Sequence, residues 1–416
     1  MSRPDFRPFV PPPAQSRIAG ASARAHAKAR LRMARARELF ATWATLLEAP
    51  FKGITTDGTV RSGLFALQPE GAPAAAMAQA AAALLDALTP AQRASACFPV
   101  DSHLWRCWQN TELWVERHGL RLDAEPPALR DRVMAVLAAS LSAKGYEISR
   151  SVMHLNRFLG DLVGAPHVLG EWSYTFCLFG EPSDTEPWGW QLFGHHLALN
   201  CLVIGPQMVL TPCFLGAEPA WADTGPFAGT RLFEDEERKG LDLVRSLSRA
   251  QQRRAVLAPS IVSPDLPPGR RHFADNLQLG GACQDNRIVP LEGLPGTELS
   301  AAQRQALLDL VADYLAPLPA GPHAARMAQV ERHLAATHFC WIGGLADTST
   351  FYYRIQSPVI FIEFDHHAGV FLTNEEPARF HVHTIVRTPN GNDYGFDLLR
   401  RHYAEAHRSG GDRAHP

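Results

Sequence analysis

The sequence predicts an α+β protein, with a largely antiparallel sheet or barrel-like β core flanked by helices and a helical N-terminal region. Segments with helical periodicity and segments with strand-like apolar runs come in blocks, in the order helices, strands, helices, strands. Such blocks argue against a regular βαβ alternation and for antiparallel pairing. The 416 residues are 46% apolar and 20% charged, which is enough material for a sizeable core.

The chain divides into three regions. Residues 1–21 are proline-rich and are predicted to be disordered, residues 22–165 to be helical, and residues 166–416 to form a β-rich catalytic core with inserted helices. We expect the last two regions to pack as one compact unit. Apolar periodicity predicts helices at residues 22–48, 74–88, 127–144, 148–163, 231–257, 300–316, 322–336 and 396–407.

Aromatic and β-branched runs predict the strands. A hairpin is expected where the alternating run 190–204 passes Gly205-Pro206 into residues 208–210. Residues 258–298 are rich in proline and glycine and are predicted to be a loop. The other predicted strands are residues 172–179, 351–356, 359–365, 370–373 and 379–387.

Composition narrows the function classes. A formal net charge of −2 gives no basic field for nucleic acid, and no run of about 18 apolar residues could span a membrane. The arginines of residues 17–37 are interpreted as a solvated helix face, with a nucleic-acid or membrane patch as the alternative. The near-zero net charge favours a small-molecule partner. Seven cysteines without a CxxC pair fit a reducing compartment, so we predict a cytoplasmic protein. The composition is compatible with an oligomer.

His381 and His383 form the strongest local motif. On a strand, residues i and i+2 point to the same face, so two imidazoles at this spacing can share one metal ion. The alternative is two polar residues on a solvent-facing strand.

Glu363 and Asp365 lie on the preceding predicted strand, whose opposite face is apolar. If the two strands pair, Glu363 can join the histidines as a carboxylate ligand or a general base. The alternative is an ion pair between Glu363 and Arg379 or Arg387.

His195 and His196 form a second motif. Adjacent residues on a strand face opposite sides, so only one of them should reach a given ion. His196 shares its face with Gly194, Ala198 and Asn200, which leave room, so it is the better ligand. A bend at Gly194 would favour His195 instead, and a core histidine with a single hydrogen bond is the alternative.

Three further residues are candidates for substrate contact. Arg354 could bind a carboxylate through its fork of donors, although a buried ion pair with Glu363 or Asp365 explains it equally well. Tyr353, the preceding residue, is the second candidate. Asn392 lies in the polar loop after the histidine strand, where a turn and helix cap is the default interpretation.

Several of these segments together resemble a bacterial and fungal family known as domain of unknown function 3500. The matching stretches are residues 188–200, 211–219, 353–363 and 381–395. The resemblance covers most of residues 150–405 and implies a shared fold and site. It implies no reaction, because the family carries no assigned activity.

The favoured hypothesis is a metal-dependent enzyme that acts on a small molecule. One transition metal ion, iron, copper or zinc, would be held by His381, His383 and either His196 or His195, with Glu363 as fourth ligand or base. The motifs GxGxxG, GxxxxGK[ST], GxSxG and HExxH are absent, which disfavours nucleotide-dependent chemistry and serine hydrolysis.

Oxygen-dependent redox chemistry is slightly favoured, because Trp188, Trp190 and Tyr353 would keep water from the site. A zinc-type hydrolase or lyase is the alternative. A second alternative is a non-catalytic ligand-binding protein in which the histidines and Glu363 form a structural network.

Overall fold

The structure is a computed structural model that describes residues 5–12, 15, 17–115 and 117–411. Within these residues it has eleven α-helices and twelve strands, and the strands form a single mixed, mostly antiparallel sheet. The predicted α+β class is confirmed, and the sheet is open rather than closed into a barrel.

The N-terminal segment packs on the core where it is described. Phe6 is 1% exposed, and its ring contacts those of Phe158, Trp221 and Phe380. The predicted disorder of residues 1–4, 13–14 and 16 lies outside the described residues.

Most predicted helices are present, but two of them divide. The predicted helix 22–48 is interrupted at residues 31–33, and the predicted helix 231–257 is interrupted where Ser248 caps a new helix by accepting from the Gln251 amide. None of the described helices is both long enough and apolar enough to cross a bilayer. The helices are α1 Ala23–Arg30, α2 Ala34–Glu48, α3 Ala74–Ala87, α4 Pro90–Ala96, α5 Pro127–Ser140, α6 Ala143–Leu162, α7 Glu234–Ser246, α8 Arg249–Ala255, α9 Ala301–Leu315, α10 Ala320–Arg332 and α11 Phe396–Gly411.

The strands include five that the sequence did not predict, of which His338–Gly343 is the longest, and lack one that it did. The predicted strand 370–373 is absent because the amides of Val370, Phe371 and Leu372 donate to the Glu218 carboxylate instead of a neighbouring strand. The strands are β1 Cys97–Phe98, β2 Leu120–Arg121, β3 Tyr174–Phe179, β4 Trp188–Gly194, β5 Leu197–Ile204, β6 Gln207–Ala217, β7 Val256–Ala258, β8 Leu294–Pro295, β9 His338–Gly343, β10 Phe351–Gln356, β11 Phe361–His367 and β12 Ala378–Arg387.

The strand order is β1-β3-β4-β5-β6-β12-β11-β10-β9-β7, with β2 beside β3 and β8 beside β9. Two consecutive antiparallel runs, β3 to β6 and β9 to β12, therefore meet where β6 pairs with β12. In this pairing His383 lies opposite Gly216. The meeting point of the two runs is thus where the histidine motifs come together.

Both faces of the sheet are buried. The first, here called the helical face, packs against α3, α5, α6, α7 and α9. The second, here called the loop face, is covered by α2, α11 and parts of the long loop 259–293. In β12, Phe380 and Val382 belong to the helical face, so His381 and His383 point to the loop face by strand alternation.

Candidate metal centre

His195 and His196 form the two-residue turn between β4 and β5. Gly194 pairs with Leu197 across this turn, and His196 has a positive φ of 64°. The prediction that both histidines lie on one continuous strand is therefore wrong, and the alternation that separated their faces does not apply. The turn is fixed from both sides, since the His196 amide donates to the Asn110 carbonyl (3.3 Å) and the His196 carbonyl accepts from the Gly216 amide (2.8 Å).

His196, His381 and His383 form what we call the three-histidine cluster. One ligand nitrogen from each residue lies within 4.8 Å of the other two. The Nε2 atoms of His381 and His383 are 3.1 Å apart. All three residues are buried.

Gly216 leaves the space that the cluster occupies. A Cβ atom at this position would lie 2.9 Å from Cδ2 of His383 and 3.0 Å from Cδ2 of His196. Real Cβ atoms rarely approach other atoms so closely, and the packed interior gives little room for the rings to move. A glycine is therefore required beneath the two imidazoles.

The orientation of His381 is set by the loop after β11. Its Nδ1 lies 2.8 Å from the Ala368 carbonyl oxygen, so Nδ1 carries the proton and donates. Its Nε2 then presents a lone pair toward His383. An outer hydrogen bond of this kind is how metal-binding histidines are usually held in one tautomer.

The cluster is electrically neutral. Burial lowers the pKa of His196, His381 and His383 well below the ordinary value, and the neighbouring imidazoles lower it further. A neutral imidazole keeps one unprotonated nitrogen, which is the form that binds a metal ion.

His195 lies beside the cluster rather than in it. Its ring stacks on that of His196 with centroids 3.8 Å apart, and its Nδ1 is 2.8 Å from Oδ1 of Asn156. Burial lowers the pKa of His195 to about 4, although Glu112 acts in the opposite direction. The group with metal-ligand spacing thus contains His196 and not His195.

Glu363 lies on the loop face, as the strand pattern predicts, but its carboxylate is turned to other partners. It accepts hydrogen bonds from the amides of Leu279 and Gly280 (2.9 and 2.8 Å) and from the Tyr352 hydroxyl (2.6 Å). The structure therefore does not bring Glu363 into the three-histidine cluster, nor into an ion pair with an arginine of β12. In the pairing of β11 with β12, Glu363 lies opposite Ile385, the second residue after His383.

Asp365 lies directly opposite His383 and is engaged in the same way as Glu363. It accepts from the Leu277 amide and from Nδ2 of Asn276 (both 3.2 Å). The two carboxylates thus hold residues 276–280 of the long loop against the sheet.

The other predicted site residues also lie elsewhere. Tyr353 points to the helical face, where its hydroxyl meets that of Tyr314 (2.5 Å). Arg354 forms an ion pair with Glu292 (2.8 Å). Asn392 accepts from the Leu398 amide (3.3 Å), which is the turn-and-cap role predicted as its default.

A cavity of about 340 Å³ opens over the histidines. His195, His196, His367 and His383 lie in its lining, and α2 contributes an apolar wall. Trp188 and Trp190, which were expected to shield the site, point to the helical face instead. The other lining residues are Arg17, Arg30, Arg35, Ala36, Leu39, Phe40, Trp43, Asn110, Thr111, Glu112, Leu113, Phe273, Ala274, Asp275, Ala368, Gly369 and Val370.

His367 and the arginines of the cavity are site residues that were not predicted from the sequence. The signal for His367 was available, because it shares the strand face of Glu363 and Asp365 by the period of two. Its ring centroid lies 4.5 Å from that of His383. The arginines were interpreted as a solvated helix face, and no local pattern indicates that this face borders a cavity.

Fold and site together define an α+β protein with a buried three-histidine cluster beneath a cavity. The family model described as a protein of unknown function (DUF3500) matches residues 70–396, and the chain belongs to this family. The resemblance predicted from the sequence is thus confirmed. The matched range contains the twelve strands and the cluster, and it begins after α1 and α2. No curated protein and no solved structure matches the chain.

Proposed function

We propose that this protein is a metal-dependent enzyme that acts on a small molecule at one ion held by His196, His381 and His383. The observation that carries the proposal is the convergence of three buried, neutral imidazoles from two separate parts of the chain. A tetrahedral ion with metal–nitrogen bonds of about 2.0–2.1 Å needs ligand nitrogens about 3.3 Å apart. The pair His381 and His383, at 3.1 Å, already has this spacing.

The proposed ion would have an open position toward the cavity. Three protein ligands with a free fourth position are typical of catalytic rather than structural sites. His196 and His383 belong to the cavity lining, so a molecule in the cavity could reach the ion. Imidazole ligands suit zinc, copper and iron, and such an ion could activate either water or oxygen.

Oxygen-dependent redox chemistry at iron or copper is our first choice. Hydrolysis at zinc benefits from a free carboxylate base near the ion. Of the two carboxylates in the described cavity lining, Glu112 pairs with His26 (3.3 Å), and Asp275 lies beside His272 (3.1 Å) and outside the three-histidine cluster. A zinc-dependent hydrolase or lyase is therefore the second choice.

Elemental analysis of protein purified without chelator tests the proposal. We expect about one equivalent of a transition metal per chain, and oxygen uptake if the ion is iron or copper. Replacing His381 or His383 with alanine should weaken metal binding more than about 100-fold, since even outer partners of metal ligands are worth about 10- to 100-fold. His338→Ala, which removes a histidine of β9 outside the cluster, should bind metal like the wild type.

The competing proposal is a non-catalytic protein whose histidines form a structural network. The short contact between Nε2 of His381 and Nε2 of His383 favours it, because one neutral imidazole can donate to another at 3.1 Å. In that case the wild type would take up no metal, and His381→Ala would lower the melting temperature without changing metal content.

We further propose that the protein works in the cytoplasm. The seven cysteines are free thiols, which suits a reducing compartment.

A further inference from the structure

One wall of the cavity comes from outside the family match. The matched range begins at residue 70, whereas Arg17, Arg30 and Arg35 precede it and line the cavity. The same segment supplies the apolar part of the wall through Leu39 and Trp43, which are buried in the core of the loop face. The helix α2 is therefore anchored, which places the exposed Arg35 at the mouth of the cavity.

Two of these arginines have donors to spare. Arg17 donates to the Val370 carbonyl (2.7 Å) and so has a structural partner. Among the described residues, the guanidinium of Arg30 hydrogen-bonds only to the Met33 sulfur (3.2 Å), which is a weak acceptor. Arg35 makes no hydrogen bond or ion pair with any residue that the structure describes. A guanidinium group offers five N–H donors in a planar fork, which matches carboxylate and phosphate oxygens.

The charge of the lining favours an anion. Three guanidinium groups face two carboxylates, Glu112 and Asp275, and each of these carboxylates already pairs with a histidine. The lining is thus net positive before any metal binds, and a divalent ion in the cluster would add to it. The cavity volume of about 340 Å³ lies at the lower end of the range for ligand sites, about 300–1,000 Å³, so the ligand is small.

We propose that the substrate is a small molecule with a carboxylate or phosphate group, which Arg30 and Arg35 bind at the cavity wall. This inference rests on the proposed function in one respect, namely that the rest of the substrate reaches the metal ion. The anion site itself does not, because the arginines belong to a different segment from the three-histidine cluster.

Calorimetric titration of the full chain tests the anion site. Succinate and inorganic phosphate serve as probes, and succinamide is a neutral control of the same size as succinate. We expect succinate, phosphate or both to bind, and succinamide not to bind. Arg35→Gln should weaken binding about five- to tenfold, and Arg30→Gln/Arg35→Gln further, as expected for charge-assisted hydrogen bonds. Arg37→Gln is the matched control, because Arg37 and Arg35 are both exposed on α2 but only Arg35 lines the cavity.

Each outcome separates the two proposals. The anion site is overturned if neither anion binds, if succinamide binds as well as succinate, or if Arg37→Gln weakens binding as much as Arg35→Gln. These results would leave zinc binding by the three-histidine cluster untouched. Conversely, anion binding that needs Arg35, in a protein that takes up no added Zn²⁺, Cu²⁺ or Fe²⁺, supports the anion site and overturns the metal-dependent function.

Discussion

Gly216 is the residue on which the geometry of the three-histidine cluster depends most directly. It faces His383 across the pairing of β6 with β12, and its amide holds the His196 carbonyl. One glycine therefore contacts both parts of the chain that supply ligands. Its missing side chain creates the room for two imidazoles, and its backbone fixes the turn that carries one of them.

Replacing Gly216 with alanine should lower both the stability of the protein and its affinity for metal. The new methyl group would push against Cδ2 of both His383 and His196. We expect a loss of stability of about 1–3 kcal/mol, as for overpacked cores, and a fall in metal affinity of at least about tenfold. Thermal unfolding and zinc titration measure the two effects. An unchanged zinc affinity in the folded variant would contradict a metal site that depends on the positions of His196 and His383.

The candidate site could be predicted only in part from its residues. The spacing of His381 and His383 is sufficient to predict that both side chains lie on one face, because side chains alternate with a period of two on any strand. A two-residue turn typically contains asparagine, aspartate or glycine, and His195 and His196 are none of these. The pattern therefore predicts a continuous strand there. Strand alternation places Glu363 on the correct face, but it cannot show that its partners are amides of a distant loop.

At the level of elements, buried carboxylates hold loops in place around the cavity. Glu218 binds three successive amides of residues 370–372, next to Ala368, whose carbonyl orients His381. Glu363 and Asp365 bind residues 276–280 of the long loop. Since a carboxylate accepts several hydrogen bonds, it can accept from backbone amides that have no partner on a neighbouring strand. Acidic residues near the site are thus explained by loop anchoring.

Glu237 connects α7 to two strands of the sheet and should make stability dependent on acid. Burial alone would raise its pKa, but hydrogen bonds from His366 (3.0 Å) and Arg379 (2.5 Å) outweigh this effect and lower it to about 2. His366 donates from Nε2, since its Nδ1 accepts from the Phe351 amide. The folded protein therefore binds this proton less readily than the unfolded chain, whose glutamate has a pKa near 4.5.

The sign of the pH effect follows from this difference. The stabilisation by Glu237 is complete above pH 4.5 and is lost as the pH falls toward 2. Glu237→Gln should lower the free energy of unfolding by about 1–3 kcal/mol at pH 7 and reduce its decline in acid. Urea unfolding from pH 7 to pH 3 measures both quantities. Parallel pH profiles for the two proteins would contradict the assignment.

Elements with strong periodicity were predictable, and interruptions within them were not. The predicted helix 231–257 has apolar periodicity throughout, yet it ends at Ser246 and restarts at Arg249. Residues 370–373 are apolar enough for a strand, but the Glu218 carboxylate takes their amides. In both cases the deciding contact is a hydrogen bond to one polar side chain, which periodicity does not reveal.

On the scale of the whole molecule, the cavity unites segments that are far apart in sequence. Its lining comes from the N-terminal arginines, the turn between β4 and β5, the long loop and the end of β11. The sequence predicts most of the elements that carry these residues. It could not predict their union, because this depends on the pairing of β6 with β12 and on the packing of α2 over the loop face.

Asp285 of the long loop joins other distant segments through buried hydrogen bonds, and through Arg106, which donates to the Ala49 carbonyl (2.8 Å), it reaches the end of α2. It accepts from Arg106 (2.8 Å), from Arg387 at the end of β12 (2.9 Å) and from the Tyr394 hydroxyl before α11 (3.0 Å). Arg387 also pairs with Asp393 (3.0 Å). Without Asp285, Arg387 would keep Asp393, but Arg106, which is 7% exposed, would have only backbone carbonyls such as that of Ala49 (2.8 Å) as acceptors among the described residues.

Asp285→Ala should therefore destabilise the whole molecule by about 3–5 kcal/mol, because it removes the carboxylate partner of the buried Arg106 and one of the two carboxylates that pair with Arg387. Asp161→Asn is the control, since it breaks an exposed pair with Arg157 on α6, worth about 0.3–0.5 kcal/mol. Urea unfolding followed by tryptophan fluorescence measures both changes. If the segments are joined as described, Asp285→Ala should lower the midpoint of one cooperative transition. A separate early transition would mean that the N-terminal segment unfolds independently of the sheet, and the cavity wall would then be lost before the core.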